Sequence, residues 1–306
     1  MKQSLSVVVP VFNEESCIQV FYEELVASLM EYSVYEIVFV DDGSSDRSWQ
    51  ILCGMAAKDQ RVKAIRLTRN FGHQIAVMAG LEKASCDAIA IIDADLQDPP
   101  SLIPEMHNLI HGEVDMVYGR RVVREGESIF KKLSAKLFYR IFRKLVPFEV
   151  PLDTGDFRIV SKRVRDQIVS MNEQDPFLRG LFALTGFGAT PFDYVRNARF
   201  AGKSKYNLRR MFSLASNAVI TFSDFPFRIF TKLSLFLLFV ASIAGVWAIF
   251  LAITGDAISG WLSIFALVLF LGSLNIVFSA VIGTYLLQSL KASRARPRYF
   301  VSQEIN

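Results

Sequence analysis

The sequence predicts an α/β fold: a Rossmann-like, mostly parallel sheet with helices on both faces, followed by a C-terminal transmembrane α-helical hairpin. Three observations predict it. Short β-rich apolar runs alternate with helix-like segments over residues 1–120, the pattern of a parallel sheet covered by helices. Two charge-free stretches, Leu233–Ile253 and Ala257–Leu290, follow towards the C-terminus. The composition lies between classes: 52% hydrophobic residues and a mean hydropathy of +0.31 are too apolar for an ordinary soluble domain, and 21% charged residues are too many for a membrane bundle.

Taken in order, the apolar runs predict strands from Leu5 to Val11, Tyr35 to Val40, Val62 to Leu67, Ala88 to Ile92 and Val114 to Tyr118. Helices are expected between them, around Glu15 to Met30, Asp46 to Lys58, Gln74 to Lys83 and Leu102 to Ile110. Leu233–Ile253 covers 21 positions, and at about 1.5 Å per residue such a helix crosses a hydrocarbon layer of roughly 30 Å. A second span is expected over about 261–287, with Gly255-Asp-Ala-Ile-Ser-Gly260 as the turn. Arg228 and Lys232 precede the hairpin and Lys291, Arg294, Arg296 and Arg298 follow it, whereas the turn carries only Asp256. The positive-inside rule then places both termini in the cytoplasm. No signal peptide is read at the N-terminus. The expected organisation is a cytoplasmic domain over 1–228, two spans within 229–290 and a basic cytoplasmic tail over 291–306.

Charge and cysteine content narrow the function. The 34 Lys and Arg against 30 Asp and Glu leave a net +4, which excludes a polybasic nucleic-acid tail. Cys17, Cys53 and Cys86 have neither C-x-x-C spacing nor neighbouring His, so zinc and disulfide frameworks are not expected. One segment is locally basic: residues 120–144 hold nine Lys and Arg and two Glu. Ile129, Phe130, Leu133, Leu137, Phe138, Ile141 and Phe142 interleave there at helical spacing. That predicts an amphipathic helix near 128–146 lying on a membrane surface, with a second near 208–228.

In open α/β sheets, ligands bind beyond the carboxyl ends of the strands. Those ends read Pro10-Val-Phe-Asn-Glu-Glu15, Asp41-Asp-Gly-Ser-Ser-Asp46, Thr68-Arg-Asn-Phe-Gly72 and Asp93-Ala-Asp-Leu-Gln-Asp98. Three of the four are acidic, which suits phosphate only through a divalent cation, held by one or two carboxylates together with the substrate's own oxygens. With 16 Asp in the chain, about one D-x-D is expected by chance, so the position of Asp93 and Asp95 at a strand end carries the argument rather than the motif. Ser44, Ser45 and Asp46 also read as turn and helix-cap chemistry. Neither G-x-G-x-x-G nor a P-loop string is present, so helix-terminus phosphate binding of those kinds is excluded. His107 and His111 read as a solvated helix end.

These four segments, in this order, closely resemble the family 2 glycosyltransferases of GT-A fold, and within them the polyprenyl-phosphate glycosyltransferases that include dolichol-phosphate mannose synthase and the bactoprenol glucosyltransferases. Thr154-Gly-Asp-Phe-Arg158 and Arg199-Phe-Ala-Gly-Lys-Ser-Lys-Tyr206 look like that group's acceptor-side motifs. The resemblance implies that Pro10, Phe12, Glu14 and Asp42, with Asp93, hold the nucleotide-sugar, and that Asp93, Asp95 and Gln97 hold Mg²⁺ or Mn²⁺. Asp156 stands in the position of a catalytic base, beside Asp95. Arg120, Lys132, Arg158, Arg199 and Lys205 are the acceptor-phosphate candidates. Two departures matter: Ile282-Gly-Thr-Tyr285 stands where many relatives look like Gly-Glu-Tyr, and the Q-x-x-R-W string of processive synthases is missing, which favours transfer of one sugar.

The expected reaction is inverting transfer of a single hexose, glucose by resemblance, from a UDP-sugar to undecaprenyl phosphate at the cytoplasmic membrane face. The implied partners are the UDP-sugar, the lipid phosphate, the bilayer and, as an open alternative, further copies of the chain; nucleic acid is not among them. Galactose, N-acetylglucosamine or a modified arabinose remain alternative sugars, and a non-catalytic nucleotide-sugar-binding scaffold is the alternative class. A phosphate monoester has a second pKa of about 6, so the nucleophile is already largely ionised at neutral pH and needs positioning more than a general base. That argument sets the chemistry against the base role that resemblance gives Asp156.

Overall fold

A computed structural model describes residues 4–123, 154–196 except 172, scattered positions between 232 and 254, and 260–306 except 295. Its centre is a sheet of eight strands: β1 (Leu5–Val11), β2 (Tyr35–Asp41), β3 (Val62–Leu67), β4 (Ala88–Ile91), β5 (Met116–Val123), β6 (Thr154–Ser161), β7 (Ala189–Val195) and β8 (Val301–Ile305). The strand order is β7-β5-β6-β4-β1-β2-β3-β8. Strands β1 to β4 run parallel, β6 lies antiparallel between β4 and β5, β7 runs parallel to β5, and β8 closes the far edge antiparallel to β3.

Every residue of β1, β2 and β4 is buried, as continuous apolar runs covered on both faces must be. The helices that cover them are α1 (Ile18–Ser28), α2 (Ser48–Lys58), α3 (His73–Lys83) and α4 (Ile103–Asn108). Helix α1 turns Ile18, Phe21 and Leu25 inward at three-to-four spacing. Helix α3 is buried from Ile75 to Leu81 and lies so close to the sheet that a Cβ on Gly80 would stand 2.3 Å from Val8 Cγ1. Two short helices, α5 (Lys162–Ser170) and α6 (Leu178–Leu184), follow β6. The five strands and four helices expected over residues 1–120 are all present, within a few residues of the expected ends.

The antiparallel strand β6 positions the site. Arg158 pairs with Ile91 at the end of β4. Asp156, two residues before Arg158, therefore lies over the same carboxyl edge that Asp93 reaches two residues after Ile91.

The segment expected to be a basic tail over 291–306 is folded instead at its end, because Val301–Ile305 forms β8. Arg298, expected among the membrane-flanking charges, has a side chain only 7% exposed and reaches Glu82 on α3 at 3.4 Å. Helix α7 (Trp261–Ser293) falls in a second compact unit, separate from the one that holds the sheet and Pro297–Asn306. Within α7, Phe270–Leu287 has a mean hydropathy of 1.8 and no buried residue, and it is the one helix among the described residues long and apolar enough to cross a membrane. Both expected interfacial helices, near 128–146 and 208–228, lie outside the described residues, and Leu233–Ile253 is described only at scattered positions, all helical.

Candidate active site

The loops after β1 and β2 are laced together by main-chain donors. Asn13 N donates to Ser44 Oγ at 2.9 Å, Glu14 N to Ser48 Oγ at 2.9 Å and Glu15 N to Asp46 Oδ2 at 3.1 Å. In return Ser45 N donates to Asn13 Oδ1 at 2.8 Å and Arg47 N to Glu15 Oε2 at 3.0 Å. The turn residues Ser44 to Asp46 thus do more than shape their own turn: Asp46 accepts from Ser48 N at 2.9 Å, while the other carboxylate oxygen and two hydroxyls hold the neighbouring loop. Gly43, at φ +69°, permits a close approach of the third loop, since a Cβ there would stand 2.5 Å from the carbonyl carbon of Arg69. Pro10 is buried in β1 opposite Val40, and Phe12 and Glu14 open the first loop half-buried.

Asp42 pins the loop after β3. It is 2% exposed, and its two oxygens accept from Phe71 N at 2.7 Å and Gly72 N at 2.9 Å. Burial pushes its carboxyl up from the ordinary value despite those two donors.

Beyond β4 the chain turns sharply. Leu96 adopts φ +58°, a left-handed conformation that costs a non-glycine residue about 1–2 kcal/mol and that gathers at functional loops. Asp95 Oδ1 accepts from Gln97 N at 3.1 Å, and Cys17 Sγ reaches the Ala94 carbonyl at 3.4 Å. Asp98 closes the loop with no exposed surface, accepting from Tyr194 Oη and from Arg196 Nε at 3.2 Å, with Arg121 at 3.7 Å.

Opposite this loop stands a charged cluster centred on Asp156. His73 Nε2 lies 3.0 Å from Asp156 Oδ2 and 3.7 Å from Asp93 Oδ1. Gln74 Nε2 donates to Asp156 Oδ2 at 3.4 Å, and Arg179 Nε donates to Asp156 Oδ1 at 2.9 Å. Burial opposes ionisation of Asp156, but Arg179, His73 and Arg158 hold its carboxyl well below the usual range. For His73, burial opposes the charge while Asp93 and Asp156 lift the imidazole to about 9. For Asp93, burial and then the charges of Asp156, Asp95 and Asp98 push the carboxyl up to about 6, against the pull of His73.

Three carboxylates, Asp156, Asp95 and Asp98, bear on Asp93 with one imidazole facing it. Arg179 and Arg158 offset Asp156, and Arg121 and Arg196 offset Asp98, which leaves Asp93 and Asp95 as the carboxylates suited to a cation. Among the described residues no three acidic, His or Cys groups form a closed metal cage. Asp93 and Asp95, two residues apart on the loop beyond β4, are the pair that suits an ion shared with substrate oxygens.

The basic candidates are placed differently. Arg158 is 4% exposed, donates to the Gly155 and Asp156 carbonyls at 3.1 and 3.3 Å, and lies 4.3 Å over the Phe182 ring. Burial lowers its guanidinium to about 10, against Asp156. Arg120 forms a two-point pair with Asp193 at 2.6 and 2.8 Å on the exposed face of β5 and β7. Lys132, Arg199 and Lys205 lie outside the described residues. Arg179 was missed from the sequence because it sits in no motif, and Asp98 because its motif suggested no separate role. His107 is not a solvated helix end: it is 6% exposed, stacked on Tyr32 and bonded to its hydroxyl at 2.9 Å.

Comparison with known proteins agrees with this geometry. The chain is 36% identical, over 98% of both chains, to a prophage bactoprenol glucosyl transferase homolog of Escherichia coli (strain K12). It is 39% identical to an uncharacterized glycosyltransferase of Bacillus subtilis (strain 168), covering 97% of this chain and 93% of that one. Among solved structures it resembles glucosyl-3-phosphoglycerate synthase from Mycobacterium tuberculosis with a TM-score of 0.48 and 18% identity, covering 72% of this chain and 78% of that one. Residues 6–169 match the model of Glycosyl transferase family 2, a stretch that holds the loops after β1, β2 and β3, the acidic loop and Asp156. The chain belongs to glycosyl transferase family 2.

Proposed function

We propose that this glycosyltransferase moves a single glucose from UDP-glucose to undecaprenyl phosphate at the cytoplasmic face of a membrane, inverting the anomeric configuration. The observation that carries the reading is the acidic loop beyond β4, with Asp93 facing His73 and the Asp156–Arg179 pair across the sheet edge. The end-to-end likeness to a prophage bactoprenol glucosyl transferase homolog supports the sugar and the lipid class.

In this reading Pro10, Phe12, Glu14 and Asp42 frame the nucleotide, and Asp93, Asp95 and Gln97 hold Mg²⁺ or Mn²⁺. The bound ion would act as a Lewis acid, offsetting the charge that grows on the leaving diphosphate. The lipid-phosphate oxygen bonds to the anomeric carbon as the bond from that carbon to UDP breaks, so UDP departs with the bonding electrons. Asp156 orients Arg179 and His73 instead of taking a proton, because a carboxylate held low by three cationic neighbours is a poor base. Arg179, 24% exposed beside Asp156, joins Lys132, Arg199 and Lys205 as the cations facing the acceptor phosphate. Arg158, buried beside Asp156, and Arg120, exposed and paired with Asp193, are the remaining acceptor-phosphate candidates.

The acceptor is a membrane lipid, and the apolar surface of α7 fits that setting, since a helix that is hydrophobic all round and unburied belongs in lipid. We place the spans at about 233–253 and 261–287, with the amphipathic segments near 128–146 and 208–228 on the cytoplasmic surface. The test is transfer from a panel of radiolabelled UDP-sugars to undecaprenyl phosphate in detergent, with and without EDTA. The expected result is metal-dependent labelling of the lipid from UDP-glucose alone. Labelling from another donor corrects the sugar, and no labelling from any donor by folded protein that binds UDP returns the scaffold alternative.

A further inference from the structure

We infer that the C-terminal strand β8 is a working part of the donor site, positioning the loop after β3 from behind; this rests on the reading of that loop as part of the nucleotide-sugar site. Strand β8 adds to the outer edge of β3, pairing Ala64 with Ile305, Ile65 with Glu304, Arg66 with Gln303 and Leu67 with Val301. The register shifts between Arg66 and Leu67, which leaves Ser302 as the extra residue, and its hydroxyl donates to the Arg66 carbonyl at 3.1 Å. Such a bulge bends the strand where β3 gives way to the loop. Pairing continues past the strand, for Thr68 N donates to the Phe300 carbonyl at 2.9 Å.

From there the contacts run into the loop itself. The Phe300 ring lies 6.5 Å from the Phe71 ring, over which the Arg69 guanidinium stands 4.2 Å from the centroid. The main-chain N–H groups of Phe71 and Gly72 are those that Asp42 accepts, and His73 follows immediately, reaching Asp93 and Asp156. Arg66, whose main chain pairs with β8, reaches Asp41 at the end of β2 at 3.2 Å and the Ser44 carbonyl at 3.2 Å, so β3 links the strand behind it to the loop after β2. The C-terminal segment thus backs the loop after β3 directly and the loop after β2 only through Arg66.

That segment is fastened at both ends, mainly to the helices beside the sheet. Tyr299 Oη donates to Glu82 at 2.6 Å, Arg298 reaches the Val169 carbonyl at 3.4 Å, and Lys83 pairs with Glu304 at 2.6 Å. Asn306 Nδ2 donates to the Ala56 and Val62 carbonyls at 3.1 and 2.9 Å. A strand needed only to blunt a sheet edge has no reason to carry an aromatic residue onto the loop that Asp42 holds.

The test is UDP binding by titration calorimetry on the full chain, on a chain ending at Arg296, and on Phe300→Ala, alongside the KM for UDP-glucose and for the lipid. Truncation is expected to weaken UDP binding and raise the donor KM by at least tenfold, with the lipid KM changed less than twofold. A synthetic peptide of residues 297–306 added in trans should restore UDP binding. Phe300→Ala should raise the donor KM about threefold at a temperature where circular dichroism shows it folded. Unchanged UDP affinity in both variants overturns the inference, as does an equal rise in both KM values. If the truncated chain does not fold, Phe300→Ala decides alone. A full chain that binds no UDP overturns the underlying donor-site reading, whereas a full chain that binds UDP as tightly as both variants overturns only the role of β8.

Discussion

The two halves of the site use carboxylates in opposite ways. On the β1–β2–β3 side, Asp42 and Asp46 spend their oxygens on main-chain N–H groups, and their work is to fix three loops against one another. On the β4–β6 side, Asp93 and Asp156 face charged side chains, and the same residue type is driven in opposite directions, up to about 6 in one and well below the ordinary range in the other. Identical chemistry at the sequence level therefore separates into loop-fixing carboxylates and a charged cluster by what lies opposite each oxygen. Divergent carboxylates in one cleft are a mark of function, whereas carboxylates saturated by backbone donors are a mark of architecture.

The sharpest way to break this comparison is Asp95→Ala. On the reaction side it should lower transfer by at least about 10²-fold without lowering thermal stability, as loss of a group that organises charge stabilisation does. Retained activity, measured with the labelled donor, would move Asp95 into the architectural class. Next in size, Asp42→Ala strands two main-chain donors and should cost about 1–3 kcal/mol in urea unfolding. An effect on transfer with no change in stability would mean that Asp42 acts on the substrate directly.

Asp156→Asn should slow the chemical step by less than about tenfold, since a general base normally contributes 10²- to 10⁴-fold. A loss of about 10²-fold or more in single-turnover transfer would restore the base role. Smallest is Asp59, outside the site, where Arg61 at 2.8 Å holds the carboxyl at about 2. A depressed carboxyl stabilises the fold fully above its unfolded value of about 3.9, and that contribution is lost as pH falls through the folded value. With Arg61 half exposed, Asp59→Asn should cost less than about 1 kcal/mol at neutral pH, read from urea midpoints.

What the sequence made legible follows the same division. Strands β1, β2 and β4 hold apolar runs buried throughout, β3 interrupts its run only with Lys63 and Arg66, and each announced itself and the loop at its end. Strand β7 is mostly half-exposed or exposed and β8 nearly all exposed. Neither shows the apolar run that marks a central strand, and β8 sits in a stretch whose charges read as a tail. The acidic loop was legible as a motif, but the partners of Asp156 were not: His73 is 83 residues away and Arg179 is 23. Only the antiparallel insertion of β6 beside β4 brings them together. Asp98 had the right motif and an unseen duty, because its partners Tyr194 and Arg196 lie in, and just beyond, the strand that sequence periodicity did not reveal.

Strand β8 also constrains the route of the chain. Residues on either side of the apolar C-terminal region, β1–β7 before it and β8 after it, belong to one hydrogen-bonded sheet. A chain that leaves a sheet and later rejoins it on the same side of a bilayer has crossed that bilayer an even number of times. The proposal that Phe270–Leu287 crosses a bilayer therefore brings with it a second crossing, for which the charge-free run Leu233–Ile253 is the candidate. Under that proposal membrane topology is a matter of parity, and five residues at the edge of the sheet set it.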